Sequence, residues 1–187
     1  MRAVVIHGSP RENGSTIKLT KSFIKGLSDN GCSVEFFDST KLNIMPCTGC
    51  LKCESSGNCI FNDEMQHIYD SIKNTDIIIL SSPVYFASFP SQIKAVMDRC
   101  QMLHSRRYKL GIENNIDKKG YLIFTAGGSN KKMIDSMELT ARFFFLSCSA
   151  KLTDIIYVLN TDDKPVIDDE ELFKKIYNKG FIAANNK

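Results

Sequence analysis

No apolar run in this 187-residue chain approaches the roughly 20 residues needed to cross a bilayer, so no membrane-spanning role is expected. The apolar part of the opening MRAVVIHGSP is too short for a signal peptide and runs straight into a Gly-Ser-Pro turn. A cytoplasmic chain is therefore expected. A strong excess of one charge is also missing. The 24 basic and 21 acidic residues leave a net charge of +3 and alternate along the chain, so no nucleic-acid footprint is indicated. The fingerprints G-x-x-x-x-G-K-[ST] and G-x-G-x-x-G are both absent, which argues against a nucleotide triphosphatase and against a dinucleotide-binding Rossmann site. No linker, composition shift, internal repeat or low-complexity segment divides the chain. With 43% hydrophobic residues, positions 1–187 are expected to form one domain with a real buried core.

Cysteine is present in an odd number, seven, which fits poorly with complete internal pairing. In a reducing compartment a cysteine cluster points to metal binding or catalysis more than to a disulfide framework. Four of the seven, Cys47, Cys50, Cys53 and Cys59, fall in the stretch PCTGCLKCESSGNC, within a cysteine-rich loop at positions 46–62. Their spacing is C-x2-C-x2-C-x5-C. A cubane iron–sulfur cluster needs four thiolates converging on one small object, and Gly49 and Gly57 would help so tight a wrap. Zinc usually draws on two cysteine pairs separated by a longer arm, which this run lacks. The last spacing also departs from the bacterial ferredoxin run that ends C-x3-C-P. At this level a cluster, vacant cysteines, zinc or redox-thiol chemistry, and a loop packed against a neighbouring subunit all stay open. The scattered Cys32, Cys100 and Cys148 read as small buried hydrophobes.

Short apolar runs alternate with amphipathic ones. AVVIH (3–7), SVEFFD (33–38), DIIILSSP (76–83), GYLIFTAGG (120–128) and LTDIIYVL (152–159) read as strands. Helical spacing covers 15–31, the stripe through Met65, Ile68, Tyr69 and Ile72, a segment opened by Pro90 and running to about Leu103, 131–147, and 169–184. Positions 105–119 are polar and read as a surface excursion. Strands apolar on both faces and alternating with helices predict a doubly wound α/β fold, a sheet of five strands covered on both sides.

In such a sheet ligands bind beyond the carboxyl ends of the strands. The loop after the first strand, HGSPRENGST, combines Gly8 and Gly14 with Ser9, Arg11, Asn13, Ser15 and Thr16, and it runs into a helix N-terminus. That combination suits a phosphate. The loop SSPVYFASFP is unusually apolar; Tyr85, Phe86 and Phe89 suit a wall against a flat ring, or a plug in the core or an interface. In TAGGSN the paired glycines let backbone approach a ligand closely. One loop for phosphate and two for a ring point to a mononucleotide with a large aromatic base, and FMN is the natural candidate.

GSPRENGST, SSPVYFASFPSQIKAVMDR and the TAGGS turn together resemble the flavodoxin-like NAD(P)H-dependent FMN reductases, over positions 2–159. The resemblance implies a flavodoxin-like three-layer α/β/α sandwich with a five-stranded parallel sheet. It implies that Ser9, Arg11, Asn13, Ser15 and Thr16 hold the FMN phosphate. Pro83, Val84, Tyr85 and Phe86 would border the isoalloxazine, with Thr125, Ala126, Gly127 and Gly128 along its other edge. Asp98 and Arg99 match the family's Asp-Arg pair and read as structural. The cysteine run, with NDEM behind it, resembles the iron–sulfur flavoproteins, a branch of the same superfamily. In that branch a 4Fe–4S cluster held by Cys47, Cys50, Cys53 and Cys59 would sit near the FMN of a neighbouring subunit. The phosphate loop is closer to the ordinary FMN reductases.

The function implied is an FMN oxidoreductase. Hydride from NAD(P)H would add at flavin N5, and electrons would pass on, through the cluster if it is present, to a quinone, another small molecule or a ferredoxin-type protein. No side chain is singled out as catalytic. The rival is an FMN-binding electron carrier or redox sensor without NAD(P)H activity. His7 reads as a packed or hydrogen-bonded histidine, and Arg106, Arg107 and Lys109 as a solvated basic face or as an attraction for the phosphate of NADPH or an acidic ferredoxin surface. Excess apolar surface in FFFLSC (143–148) and in the aromatic loop suggests a homodimer or homotetramer.

Overall fold

The computed structural model describes residues 1–112, 117–166 and 169–185. Five parallel strands lie in the order β2-β1-β3-β4-β5: β1 (Arg2–His7), β2 (Ser33–Asp38), β3 (Ile77–Pro83), β4 (Lys118–Thr125) and β5 (Ala150–Val158). The connections carry α1 (Ser15–Asp29), α2 (Lys52–Ser56), α3 (Met65–Lys73), α4 (Ser91–Arg99), α5 (Gln101–Tyr108) and α6 (Lys132–Ser147), and α7 (Glu170–Ala183) follows β5. The chain steps outward from β1 to β2, then returns across β1 to β3. The order therefore reverses between β1 and β3, which is where an open α/β sheet binds its ligand.

Strand geometry decides which side each residue serves, because successive side chains point to opposite faces. Val4, Ile6, Ile78 and Leu80 pack with Ile68 of α3, Ile93 of α4 and Phe145 of α6. Ala3, Val5, Ile77 and Ile79 pack with Phe23 and Leu27 of α1 and Ile176 of α7. The result is a three-layer α/β/α sandwich, as the sequence implies. The run Ile77 to Leu80 is fully buried, as a central strand covered on both faces requires. Helices α1 and α7 touch backbone to backbone. A Cβ at Gly26 would lie 2.1 Å from the Tyr177 carbonyl oxygen, and one at Gly180 would lie 2.1 Å from that of Phe23, so both positions require glycine.

Three elements differ from the expectation. The helix opened by Pro90 is two helices, broken at Cys100, and the second runs to Tyr108. The polar segment 105–119 is thus helical at its start and joins β4 at Lys118, while positions 113–116 lie outside the described residues. The cysteine loop contains a short helix, α2, entered through Leu51 and left through Gly57, both in the left-handed region. No helix among the described residues is long and apolar enough to cross a membrane.

Candidate functional site

The carboxyl ends of β1, β3 and β4 open onto one cleft of about 660 Å³. Its first wall is the turn between β1 and α1, where Ser9, Arg11, Asn13, Ser15 and Thr16 all line the cavity. The turn is held by two local bonds of its own. The Arg11 N–H donates to Ser9 Oγ at 3.3 Å and the Gly14 N–H to the Arg11 carbonyl at 3.1 Å. Helix α1 starts after Gly14 with no side-chain cap and no acidic residue in its first turn. Its leading N–H groups and the positive end of its dipole are left facing the cleft, beside the Arg11 guanidinium.

The second wall is the end of β3, with Pro83, Val84 and Tyr85. Beyond them Tyr85 and Ser88 exchange both backbone bonds at 2.9 Å, which closes a tight turn with Phe86 and Ala87 at its tip. Phe86 and Ala87 sit at φ 50° and 57°, a left-handed pair without glycine, and so carry strain. The turn aims Phe86 fully into solvent and it does not line the cleft, while Phe89 is buried in the core against α4. Of the three aromatic residues in this loop, Tyr85 alone borders the cavity.

The third wall is Thr125 and Gly127, with Ala126 buried behind them and Gly128 to one side. A fourth wall, Thr161, Asp162, Pro165 and Val166 in the loop after β5, was not singled out from the sequence. Backbone bonds zip this loop to the glycine turn: Thr161 N–H to the Ala126 carbonyl and Asn160 N–H to that of Gly128, each at 3.0 Å. The Asp162 carboxylate lies so close over Gly127 that a Cβ there would stand 2.1 Å from Oδ2. The available signal was positional, since this is also a strand-end loop; its composition, NTDDKP, is that of any polar turn.

Under the wall formed by the β1–α1 turn runs a chain of buried hydroxyls. Thr16 Oγ1 and Thr125 Oγ1 are 2.6 Å apart. The Thr20 hydroxyl donates to the Thr16 carbonyl at 2.8 Å and lies 2.6 Å from Ser81 Oγ. Ser81 Oγ in turn lies 3.0 Å from His7 Nδ1. These contacts lock β1, β3, β4 and α1 together beneath the cleft. Burial lowers the His7 pKa to about 4; Asp38 opposes that shift and Lys21 adds to it. His7 is a neutral member of the network, a packed and hydrogen-bonded histidine as expected.

The four loop cysteines line a second cleft, which shares no residue with the first. Cys47 and Cys50 are exposed, Cys53 and Cys59 are half-buried, and all four thiols are free. Cys53 Sγ lies 3.4 Å from Ser105 Oγ. Among the described residues no group of three or more His, Cys, Asp or Glu side chains is placed to hold a metal ion. Cys32, Cys100 and Cys148 are buried, as the sequence suggests.

Arg99, on the last turn of α4, also lines the cysteine cleft and is 1% exposed. It forms a bidentate pair with Asp63, Nη1 to Oδ2 at 2.8 Å and Nη2 to Oδ1 at 3.1 Å, and Nη1 also donates to the Met45 carbonyl at 2.8 Å. Met45 precedes the loop and Asp63 follows it. The Met45 N–H closes the triangle by donating to Asp63 Oδ2 at 3.0 Å. Burial pushes the Asp63 carboxyl up. Bonds from Arg99 and from the Met45 and Met65 N–H groups outweigh that and hold it below the usual range. Burial likewise works against the Arg99 charge, yet the hydrogen-bonded Asp63 carboxylate more than offsets it. Asp98, the sequence neighbour, pairs with Lys94 instead.

Residues 1–155 match the family described as NADPH-dependent FMN reductase. An iron–sulfur flavoprotein of Methanocaldococcus jannaschii is 30% identical over 78% of this chain and 72% of its own. A second from the same organism is 29% identical across the whole chain and 98% of its own length. The FMN-dependent NADH-azoreductase of Bacillus anthracis, solved in complex with FMN, shares the fold with a TM-score of 0.70 at 16% identity, over 99% of this chain and 98% of that one. The chain belongs to the flavodoxin-like superfamily of NADPH-dependent FMN reductases and iron–sulfur flavoproteins.

Proposed function

We propose that this protein is an FMN-dependent oxidoreductase that takes electrons from NAD(P)H and passes them to a second acceptor, with the large cleft as its flavin site. The observation that carries it is one cavity, at the reversal of strand order, with an uncapped helix N-terminus and an arginine at one wall and an apolar wall facing it. The α1 amides and Arg11 hold the phosphate dianion, with hydrogen bonds from Ser9, Asn13, Ser15 and Thr16. Pro83, Val84 and Tyr85 supply the apolar border of the ring. The backbone N–H groups of Val84, Tyr85 and Ala126 are already taken by the carbonyls of Thr125, Ser88 and Val158. Polar recognition of the ring edge therefore falls to the amides of Gly127 and Gly128. The Asp162 carboxylate suits hydroxyl donors and repels phosphate, which orients the ligand in the cleft. Bound FMN supplies the acceptance of hydride and its release as one or two electrons. The chain contributes position, charge and exclusion of water.

The cysteine cleft holds a 4Fe–4S cluster in this proposal. All four cysteines are among the residues that line one cavity, and both M. jannaschii relatives carry the name iron–sulfur flavoprotein. A cubane spaces its thiolates more widely than a single ion does, so the lack of a preformed ion site among the described residues weighs against zinc more than against a cluster. The acceptor is a quinone, another small molecule or a ferredoxin-type protein. The working unit is a homodimer or homotetramer, supported by the exposed Leu139 and Phe143 on α6 and by the solvent-facing Phe86. Anaerobic mixing of the FMN-loaded protein with NADH and with NADPH tests the central step: loss of the flavin absorbance with either supports it, and no loss with both overturns it.

A further inference from the structure

Three facts about Arg99 meet at the cysteine cleft. It is the most enclosed cation described, with its guanidinium 4.9 Å over the Phe61 ring. Two of its three nitrogens are spent on the neck of the loop, Met45 on one side and Asp63 on the other. The third, Nε, is buried and has no hydrogen-bond partner among the described residues, although the side chain lines the cleft beside the thiols. A buried N–H without an acceptor is costly. Its cost is removed if an acceptor occupies the cleft. Arginine stays charged under all ordinary conditions, so the acceptor that suits it is anionic. A cluster held by four thiolates is such a group, and its sulfurs accept N–H donors.

We propose that Arg99 is a positioning residue for the cysteine cleft: it ties the 46–62 loop shut at its neck through Met45 and Asp63, and it offers its charge and free Nε–H to the thiolate-held cluster. This rests on the cluster assigned above. Reduction adds one electron and therefore one negative charge to the cluster. A fixed cation and an N–H donor beside the sulfurs favour that form, so Arg99 raises the reduction potential. Sequence comparison with Asp98 hides this role, because the partner that matters, Asp63, stands 36 positions away.

The test compares the wild-type chain with Arg99→Lys, Arg99→Gln and the double variant Asp63→Asn/Arg99→Gln. The double variant removes both charges and so leaves no lone buried carboxylate. Each is loaded with FMN, reconstituted without oxygen using ferrous iron and sulfide, assayed for both per chain, and titrated with dithionite while the cluster signal is followed by electron paramagnetic resonance. Flavin absorbance reports that the fold is retained. The expected result is full iron in the wild type, less in Arg99→Lys, which keeps the charge but loses the fork and the Nε–H, and in the two neutral variants either lost iron or a midpoint potential more negative than wild type. Wild-type iron with an unchanged midpoint in the double variant overturns the proposal and leaves the cluster standing. A wild-type chain that takes up no iron overturns the cluster itself, and the proposal with it.

Discussion

Lowering the pH should unfasten the floor of the large cleft at His7. The ring is 2% exposed, bonded through Nδ1 to Ser81 Oγ, and tilted against Phe36 at 5.5 Å. Burial lowers its pKa from 6.5 to about 4, with Asp38 opposing and Lys21 assisting. The unfolded chain therefore binds this proton more tightly than the folded one. Stability is complete above about pH 6.5 and is lost as the pH falls toward 4, with the unfolded state gaining up to one proton in that window. At about 1.36 kcal/mol per unit, the full loss is about 3 kcal/mol. Carboxylates begin to contribute below pH 5, so the informative quantity is the difference between wild type and His7→Gln, whose amide cannot titrate. Urea unfolding of both, at fixed FMN concentration and at pH 7, 6, 5 and about 4, measures it. The gap between the two free energies should narrow by about 3 kcal/mol from pH 7 to 4. Parallel curves over this range would show that His7 titrates alike in both states and would refute the assignment of a buried neutral ring.

Gly180→Ala should destabilise the chain by about 1–3 kcal/mol, a drop of several degrees in Tm, because the new methyl meets the Phe23 carbonyl at the α1–α7 contact; thermal unfolding checks it. Arg11→Ala should leave Tm nearly unchanged, since Arg11 is exposed, and should weaken FMN binding by about 1.5–3 kcal/mol, roughly tenfold to a hundredfold. Fluorescence titration of free FMN reads that loss, which should shrink as salt rises.

The sheet was legible because burial on both faces leaves a compositional mark. Four consecutive aliphatic residues, Ile77 to Leu80, three of them β-branched and bounded by Ser-Ser-Pro, mark a covered central strand. Ten of the thirteen flavin-site candidates line one cleft, because strand-end loops converge wherever strand order reverses. The remainder depends on features without local signature. Phe86 and Phe89 look alike in sequence, and only the left-handed turn between Tyr85 and Ser88 sends one to solvent and lets the other enter the core. The break at Cys100 is marked by neither proline nor glycine. Asp162 reaches the cleft through backbone bonds between two loops that sequence separates by more than 30 positions. The Arg99–Asp63 pair is hidden for the same reason, behind an acidic neighbour that pairs elsewhere.

The most direct test of the whole account is anaerobic stopped-flow mixing of the FMN-loaded chain with NADPH and with NADH. A stoichiometric complex with FMN is expected, with a flavin absorbance that bleaches with at least one of the two. A flavin that stays oxidised with both, yet bleaches with dithionite, would contradict it and leave an FMN-binding carrier that receives electrons from another source.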